Sequence, residues 1–339
     1  MPVRRIFTAG ALPAVAAGLV MATAPAVAQT YTVDSITAPA FGTLVAATIG
    51  STTYTNNGVV SVASGSGVTY AGPVTRGLVT IRCVDGSGNP RRCNNASNFA
   101  RVTVGANGTI GGRAQAISKF TAVSNSGTVG AGTSTGAGPL SFLFSGWTAA
   151  GTRTFYLDVD VPIDGDQVGG TTGAASSGFY VRVDKDPAVP VAGLTGSVTA
   201  TVRRSMQVNK STDLRFGTII RPPNGSGTIT ITTGGGRSPG GAVPPIAMTG
   251  VGLAYLYGAA TYQLFGEPGT AFTLTVPASV DLLGPSNHLL IPLTPNISGS
   301  MNMDLSGSMA LNIGGTVTIS SSTNTGLYSQ TFSVSVVYN

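Results

Sequence analysis

Apolar side chains at every second position constrain this chain more than anything else. Phe155, Leu157, Val159 and Val161 alternate with Tyr156, Asp158 and Asp160, and the same period recurs at Val198-Ala200-Val202 and Phe272-Leu274-Val276. A period of two puts one set of side chains on one face of an extended strand. A helical alternative lacks material: Glu267 is the one glutamate, there are three lysines, and no helix-length window carries apolar positions at three-and-four spacing. Asn57-Gly58, Asn107-Gly108 and Asn224-Gly225 stand between alternating runs, and such pairs accept positive φ at little cost, so tight hairpin turns are expected there. Glycine is 48 of the 339 residues, about twice the usual share, while only 9% are charged. The 42% apolar content opposes disorder, and the glycines keep no every-third-residue period, which excludes collagen. The fold class that follows is all-β, built of antiparallel sandwiches.

Residues 1–28 read as a signal peptide: Arg4 and Arg5 open it, Ile6 to Met21 is mildly apolar, and Ala26-Val27-Ala28 supplies the small-x-small cleavage pattern. Export to the periplasm, cell surface or extracellular space is therefore expected. No later segment holds 18 consecutive apolar residues, so no transmembrane helix is expected after signal removal. The net charge of +6 is small, and the pairs Arg91-Arg92 and Arg203-Arg204 stand isolated, which argues against a nucleic-acid partner.

The remaining length suits two domains, and two internal likenesses suggest one unit present twice. Phe41-Gly42-Thr43-Leu44-Val45 matches Phe216-Gly217-Thr218-Ile219-Ile220; Thr172-Gly173 with Phe179, Val181 and Val183 matches Thr325-Gly326 with Phe332, Val334 and Val336 at a constant offset of 153. The expected division is a first β-sandwich over 29–190 and a second over 197–339. The break falls near Asp186 to Gly196, where Pro187 and Pro190 interrupt the strand pattern. The Gly/Ser/Thr-rich stretch from Ser124 to Gly138 reads as a long loop in the first half.

Candidate chemistry is sparse. Cys83 and Cys93 flank a turn-like loop, and in an exported protein they are expected to pair as a disulfide. A metal site on them is disfavoured because His288, the sole histidine, is distant in sequence. Asp158, Asp160, Asp164 and Asp166 form the one carboxylate cluster that could take calcium, but Asp158 and Asp160 fall on the strand face opposite Phe155 and Leu157, so a solvated rim is the preferred reading. His288 lies in a loop-like setting and no serine stands in a nucleophile elbow. No catalytic residue and no cofactor is expected, and the chain reads as a non-enzyme.

The last fourteen residues, Gly326 to Asn339, place Phe332, Val334, Val336 and Tyr338 on one strand face. A glycine fourteenth from the end, alternating apolar residues and a penultimate tyrosine resemble the closing strand of chaperone–usher pilins and spore-coat-U-type secreted proteins. Tyr262-Gln263-Leu264-Phe265-Gly266-Glu267-Pro268 and the run to Pro277, with the Phe216-Gly217-Thr218-Ile219 opening, are similar to an uncharacterised family of Gram-negative exported proteins of pilin-like adhesin type, a domain of unknown function. The resemblance covers Val198 to Asn339 well and Thr30 to Asp186 in part. It implies immunoglobulin-like, pilin-like sandwiches in tandem and a secreted or cell-surface structural or adhesive role, fimbria-associated and non-catalytic. Phe332, Val334, Val336 and Tyr338 would face a periplasmic chaperone or the core, Gly326 would form the turn into that strand, and like subunits would be partners. A polymerising pilin needs a donor extension, whereas only Gln29 to Ser35 precedes the Phe41-Gly42 opening. A soluble glycan-binding module is the alternative, with Trp147 as the only tryptophan and a candidate core residue. An outer-membrane β-barrel ranks third, since the strands look too short and irregular for repeated membrane spans.

Overall fold

The computed structural model describes residues 29–70, 72–84, 93–94, 98–148, 151–168 and 172–339. The signal-peptide reading of residues 1–28 and the turn at 85–92 lie outside them. Among the described residues the regular structure is strand, apart from two 3-10 turns at Asp166–Val168 and Leu253–Tyr255.

In the first body, the strand Thr152–Asp164 buries Phe155, Leu157, Val159, Val161 and Ile163 on one face, as its alternation requires. It pairs antiparallel with Ser51–Asn56, Gly77–Val84 and Lys119–Ser124. Thr30–Thr37 and Val60–Ser64 extend this sheet on either side. The facing sheet runs Val68–Thr69, Ala40–Val45, Gly193–Arg203, Gly173–Lys185, Ala100–Gly111, Leu140–Ser145, Thr128–Thr133. Phe142, Phe144 and Phe155 meet between the sheets edge to face, with ring centroids 5.4–5.5 Å apart, a geometry worth about 0.5–1.5 kcal/mol per pair beyond the area it removes from water. Trp147 packs into the same core against Tyr31 and Phe144. Gly193–Arg203 runs parallel to Ala40–Val45 and antiparallel to Gly173–Lys185. It joins the body's opening strand to its closing one, as in an immunoglobulin-like sandwich.

The second body repeats this wiring. Ser308–Ser320 pairs with Ser226–Ile231, Ala260–Phe265 and His288–Pro295, in the places that 51–56, 77–84 and 119–124 take around 152–164. Gln207–Thr212 and Arg237–Gly240 form the outer strands. Opposite them, Ala271–Thr275 lies between Gly299–Asn302 and Ser335–Tyr338, and Ile219–Ile220 pairs with Ile246–Ala247. The isolated bridges correspond as well, Ala40 to Thr75 in one body and Arg215 to Gly258 in the other. Gly42 and Gly217, at matched places in the two Phe-Gly-Thr openings, sit at φ +66° and +71°, where a side chain is disfavoured. That shared backbone demand is what made the openings recognisable in the sequence.

Three expectations are corrected. The strand Gly193–Arg203, whose larger part was assigned to the second unit, belongs by its hydrogen bonds to the first. Pairing therefore changes bodies between Arg203 and Gln207, and the prolines near 187–190 mark only the turn before a last strand. Ser124 to Gly138 contains the strands Thr128–Thr133 and Thr135–Gly136, paired to 140–145 and 119–124; its small residues suit closely packed outer strands. Asn107-Gly108 lies at a bulge inside Ala100–Gly111, where the register shifts against 173–185, and only Asn57-Gly58 joins two directly paired neighbours.

Candidate functional site

Among the differences between the two bodies, one involves the closing strand. In the first, Gly173–Lys185 has neighbours on both edges, Ala100–Gly111 and Gly193–Arg203. In the second, the matching segment keeps the same register against its inner neighbour: Ser329 bridges Leu283 as Ser176 pairs with Gly111, and Val336 pairs with Leu274 as Val183 pairs with Val102. The ladder itself, expected over 326–339, forms only at Ser335–Tyr338. Its other edge has no paired strand among the described residues, and Ile219–Ile220 pairs on one side only. Where the first body holds Gly193–Arg203, the second has an open edge with no paired strand among the described residues.

Side-chain burial follows the pairing. Phe179, Val181 and Val183 are 0%, 0% and 3% exposed, whereas Phe332, Val334 and Val336 are only half-buried. On the opposite lip Phe41 and Leu44 are buried while Phe216 and Ile219 are half-buried. These five apolar residues pack against the second core without being sealed into it. Gly326 enters the segment at φ +146° against the ring of Pro285.

Tyr338 is anchored in a way that periodicity did not foretell. Its hydroxyl donates to the Arg204 carbonyl at 2.9 Å and accepts from the Glu267 amide at 2.7 Å. Its ring meets the edge of Tyr70, a residue of the first body, at 6.3 Å, and the Arg203 guanidinium lies 5.2 Å from the centre of the Tyr70 ring. Burial raises the Tyr338 pKa, which keeps the hydroxyl able to donate. Glu267 ties the bodies again, accepting from Thr172 Oγ1 at 2.7 Å and from the Arg204 amide at 3.0 Å. The end of the closing strand is thus fixed to the junction, while its middle lies open.

The four aspartates do not converge. Asp158, expected on a solvated face, is buried: Arg76 holds it through Nε at 2.7 Å and Nη2 at 2.9 Å and lies 4.0 Å from the Tyr156 ring centre, covering that face. Asp160 accepts from Thr55 Oγ1, Asp164 from Gln115 Nε2, and Asp166 from Arg113 together with the Ser205 amide and hydroxyl. Among the described residues no group of three or more His, Cys, Asp or Glu is placed to hold a metal ion. Arg113 and Asp166 form one wall of a cleft of about 610 Å³ at the junction, faced by Gln207, Asn209, Phe265 and Ser306. His288 is exposed, 2.8 Å from Asp281. Cys83 and Cys93 form a disulfide with Cα atoms 6.1 Å apart, both fully buried.

Residues 206–338 match the model of a family described as a domain of unknown function, DUF4402. That match begins where pairing passes to the second body and ends on Tyr338, so it covers the body with the open edge. No curated protein matches the chain. A solved structure similar to it is the complex of a chaperone with a tip adhesion subunit, a pre-assembly complex of archaic chaperone-usher Csu pili from Acinetobacter baumannii, at 9% identity and a TM-score of 0.27, covering 90% of this chain and 99% of that one. No helix among the described residues is long and apolar enough to cross a membrane, which says nothing of a β-barrel.

Proposed function

We propose that this is an exported, non-catalytic structural or adhesive protein of the cell surface, fimbria-associated, made of a complete sandwich followed by one that takes a strand from a partner. The partner is a periplasmic chaperone before assembly and a like subunit afterwards. The observation carrying this reading is the contrast between Phe179, Val181 and Val183, sealed under Gly193–Arg203, and their half-buried counterparts Phe332, Val334 and Val336. Half-buried alternating apolar residues beside an unpaired edge are a liability unless another strand covers them. The segment Thr30–Thr37 is itself paired with Gly77–Val84, so the role it supports for this chain is that of strand acceptor.

Fractionation of cells followed by size analysis of the processed protein tests the proposal. The expected result is protein released without detergent and held in a stoichiometric complex or a fibre. Recovery only from detergent-solubilised outer membrane overturns it. The junction cleft, with Gln207, Asn209 and Ser306 beside Phe265, favours glycan binding as the second reading; glycan-array binding by a chain that never assembles would select it.

A further inference from the structure

The junction cleft gathers polar groups that strand pairing leaves unused. Gln207, Phe265 and Ser308 stand in one row across three strands, since Gln207 pairs with Phe265 and Phe265 with Ser308. Paired residues share a face of the sheet, and the neighbouring Leu264 is fully buried on the other face, so the row points outward. Asn209, two residues beyond Gln207, lies on the same face. Phe265 is 38% exposed, and Asn209 is exposed with no side-chain hydrogen bond among the described residues.

Arg204 brings a cation to this row. Its main chain is fixed, the amide donating to Glu267 at 3.0 Å and the carbonyl accepting from Tyr338 at 2.9 Å. Its guanidinium makes no hydrogen bond or ion pair among the described residues, and Nη1 lies 3.5 Å from where a Cβ on Gly307 would stand, over the turn that lines the cleft. The carboxylates at the junction are engaged elsewhere. Asp166 accepts from Arg113 and from the Ser205 amide and hydroxyl, and Glu267 from Thr172 and the Arg204 amide. Arg113 on the facing wall is 3% exposed and its Nε has no partner, so that wall too is short of acceptors.

From this we infer that the cleft binds an anionic saccharide, a uronate or a sulfated sugar. The acid group would sit on the Arg204 fork, ring hydroxyls on Gln207 and Asn209, and a C–H face of the sugar on Phe265. A guanidinium gives an oxyanion a strong two-pronged contact, side-chain amides both donate to and accept from hydroxyls, and an aromatic ring supplies apolar contact area. The volume of about 610 Å³ falls within the roughly 300–1,000 Å³ usual for small-ligand sites. An acidic peptide would satisfy Arg204 but leave the amides and the ring without their complement. The inference rests on the glycan-binding reading of this cleft given above and names the class of glycan.

The test uses the full processed chain and isothermal titration calorimetry with three trisaccharides: a galacturonate, its methyl ester and a sulfated galactose. An acidic trimer should bind saturably, the tighter of the two naming the acid, and the ester about ten-fold or more weakly. Arg204→Gln should abolish that preference while leaving thermal unfolding in place, because Arg204 is tied to its neighbours through its main chain. Phe265→Ala should weaken all three trimers, and Asn209→Ala, at an exposed position, should do so by a few-fold without affecting the fold. Equal binding of acids and ester, weakened alike by Asn209→Ala, would keep the glycan reading and overturn the anionic preference. Binding of no trimer would overturn both. A triglutamate peptide that competes as well as the galacturonate would make this a site for acidic peptides and overturn the inference.

Discussion

Phe179 and Phe332 hold matched places in the pairing of the two bodies and differ in whether a strand is paired beside them. Truncating Phe179, fully buried, should cost about 3–5 kcal/mol, the usual range for a core phenylalanine. Phe332 is half-buried, so Phe332→Ala should cost roughly 1–2 kcal/mol in proportion to the apolar area it covers. Trp147 is the only tryptophan and packs 5.6 Å from Phe144 in the first core, so its fluorescence reports unfolding of the first body alone. With a urea m-value of about 2 kcal/mol/M, Phe179→Ala should lower the tryptophan midpoint by about 1.5–2.5 M. Phe332→Ala should leave that midpoint in place and shift only the remaining circular dichroism transition, by about 0.5–1 M on the same m-value. Equal losses at the two positions in the free chain would mean that Phe332 is already sealed, and the account of the open edge would fail.

Other consequences are open to simpler measurements. Replacing Cys83 and Cys93 by alanine frees a short loop, which on chain-entropy grounds should cost the first body roughly 3 kcal/mol; the tryptophan transition should drop while the second transition holds. Asp166→Ala leaves Arg113, 3% exposed, with no counter-charge, and should cost about 3–5 kcal/mol, measured by thermal or urea unfolding. Burial pushes the Tyr31 and Tyr54 hydroxyls up to about 12. The folded state then holds protons that the unfolded state gives up near pH 10, so their stabilisation is complete below about pH 10 and is lost as pH rises toward 12. Spectrophotometric titration should show both phenols ionising late, with stability falling over that window.

The strands were legible because burial on one face is a local, period-two property, as along Phe155 to Val161. The likeness of the two openings was legible where backbone geometry fixes the residue, as at Gly42 and Gly217. Partners distant in sequence were not legible. Asp158 looked solvent-facing because Arg76, which covers it, lies 82 residues earlier. Tyr338 was read as one more tooth of a strand, although its hydroxyl reaches a carbonyl 134 residues away and helps join the two bodies. Phe332, Val334 and Val336 repeat the pattern of Phe179, Val181 and Val183, so no pattern could tell a covered face from an open one. Which body owned the strand Gly193–Arg203 decided that difference, and strand ownership is a matter of long-range pairing.

Native-state hydrogen exchange, resolved by residue on the processed chain without partner, bears most directly on the open edge. Amides of 177–184 and 40–45 should exchange slowly, near the limit set by global unfolding of their body, while those of 330–334 and 218–220 should exchange orders of magnitude faster. Matching protection in the two sets would contradict the account, because it would mean that the second sandwich is already closed.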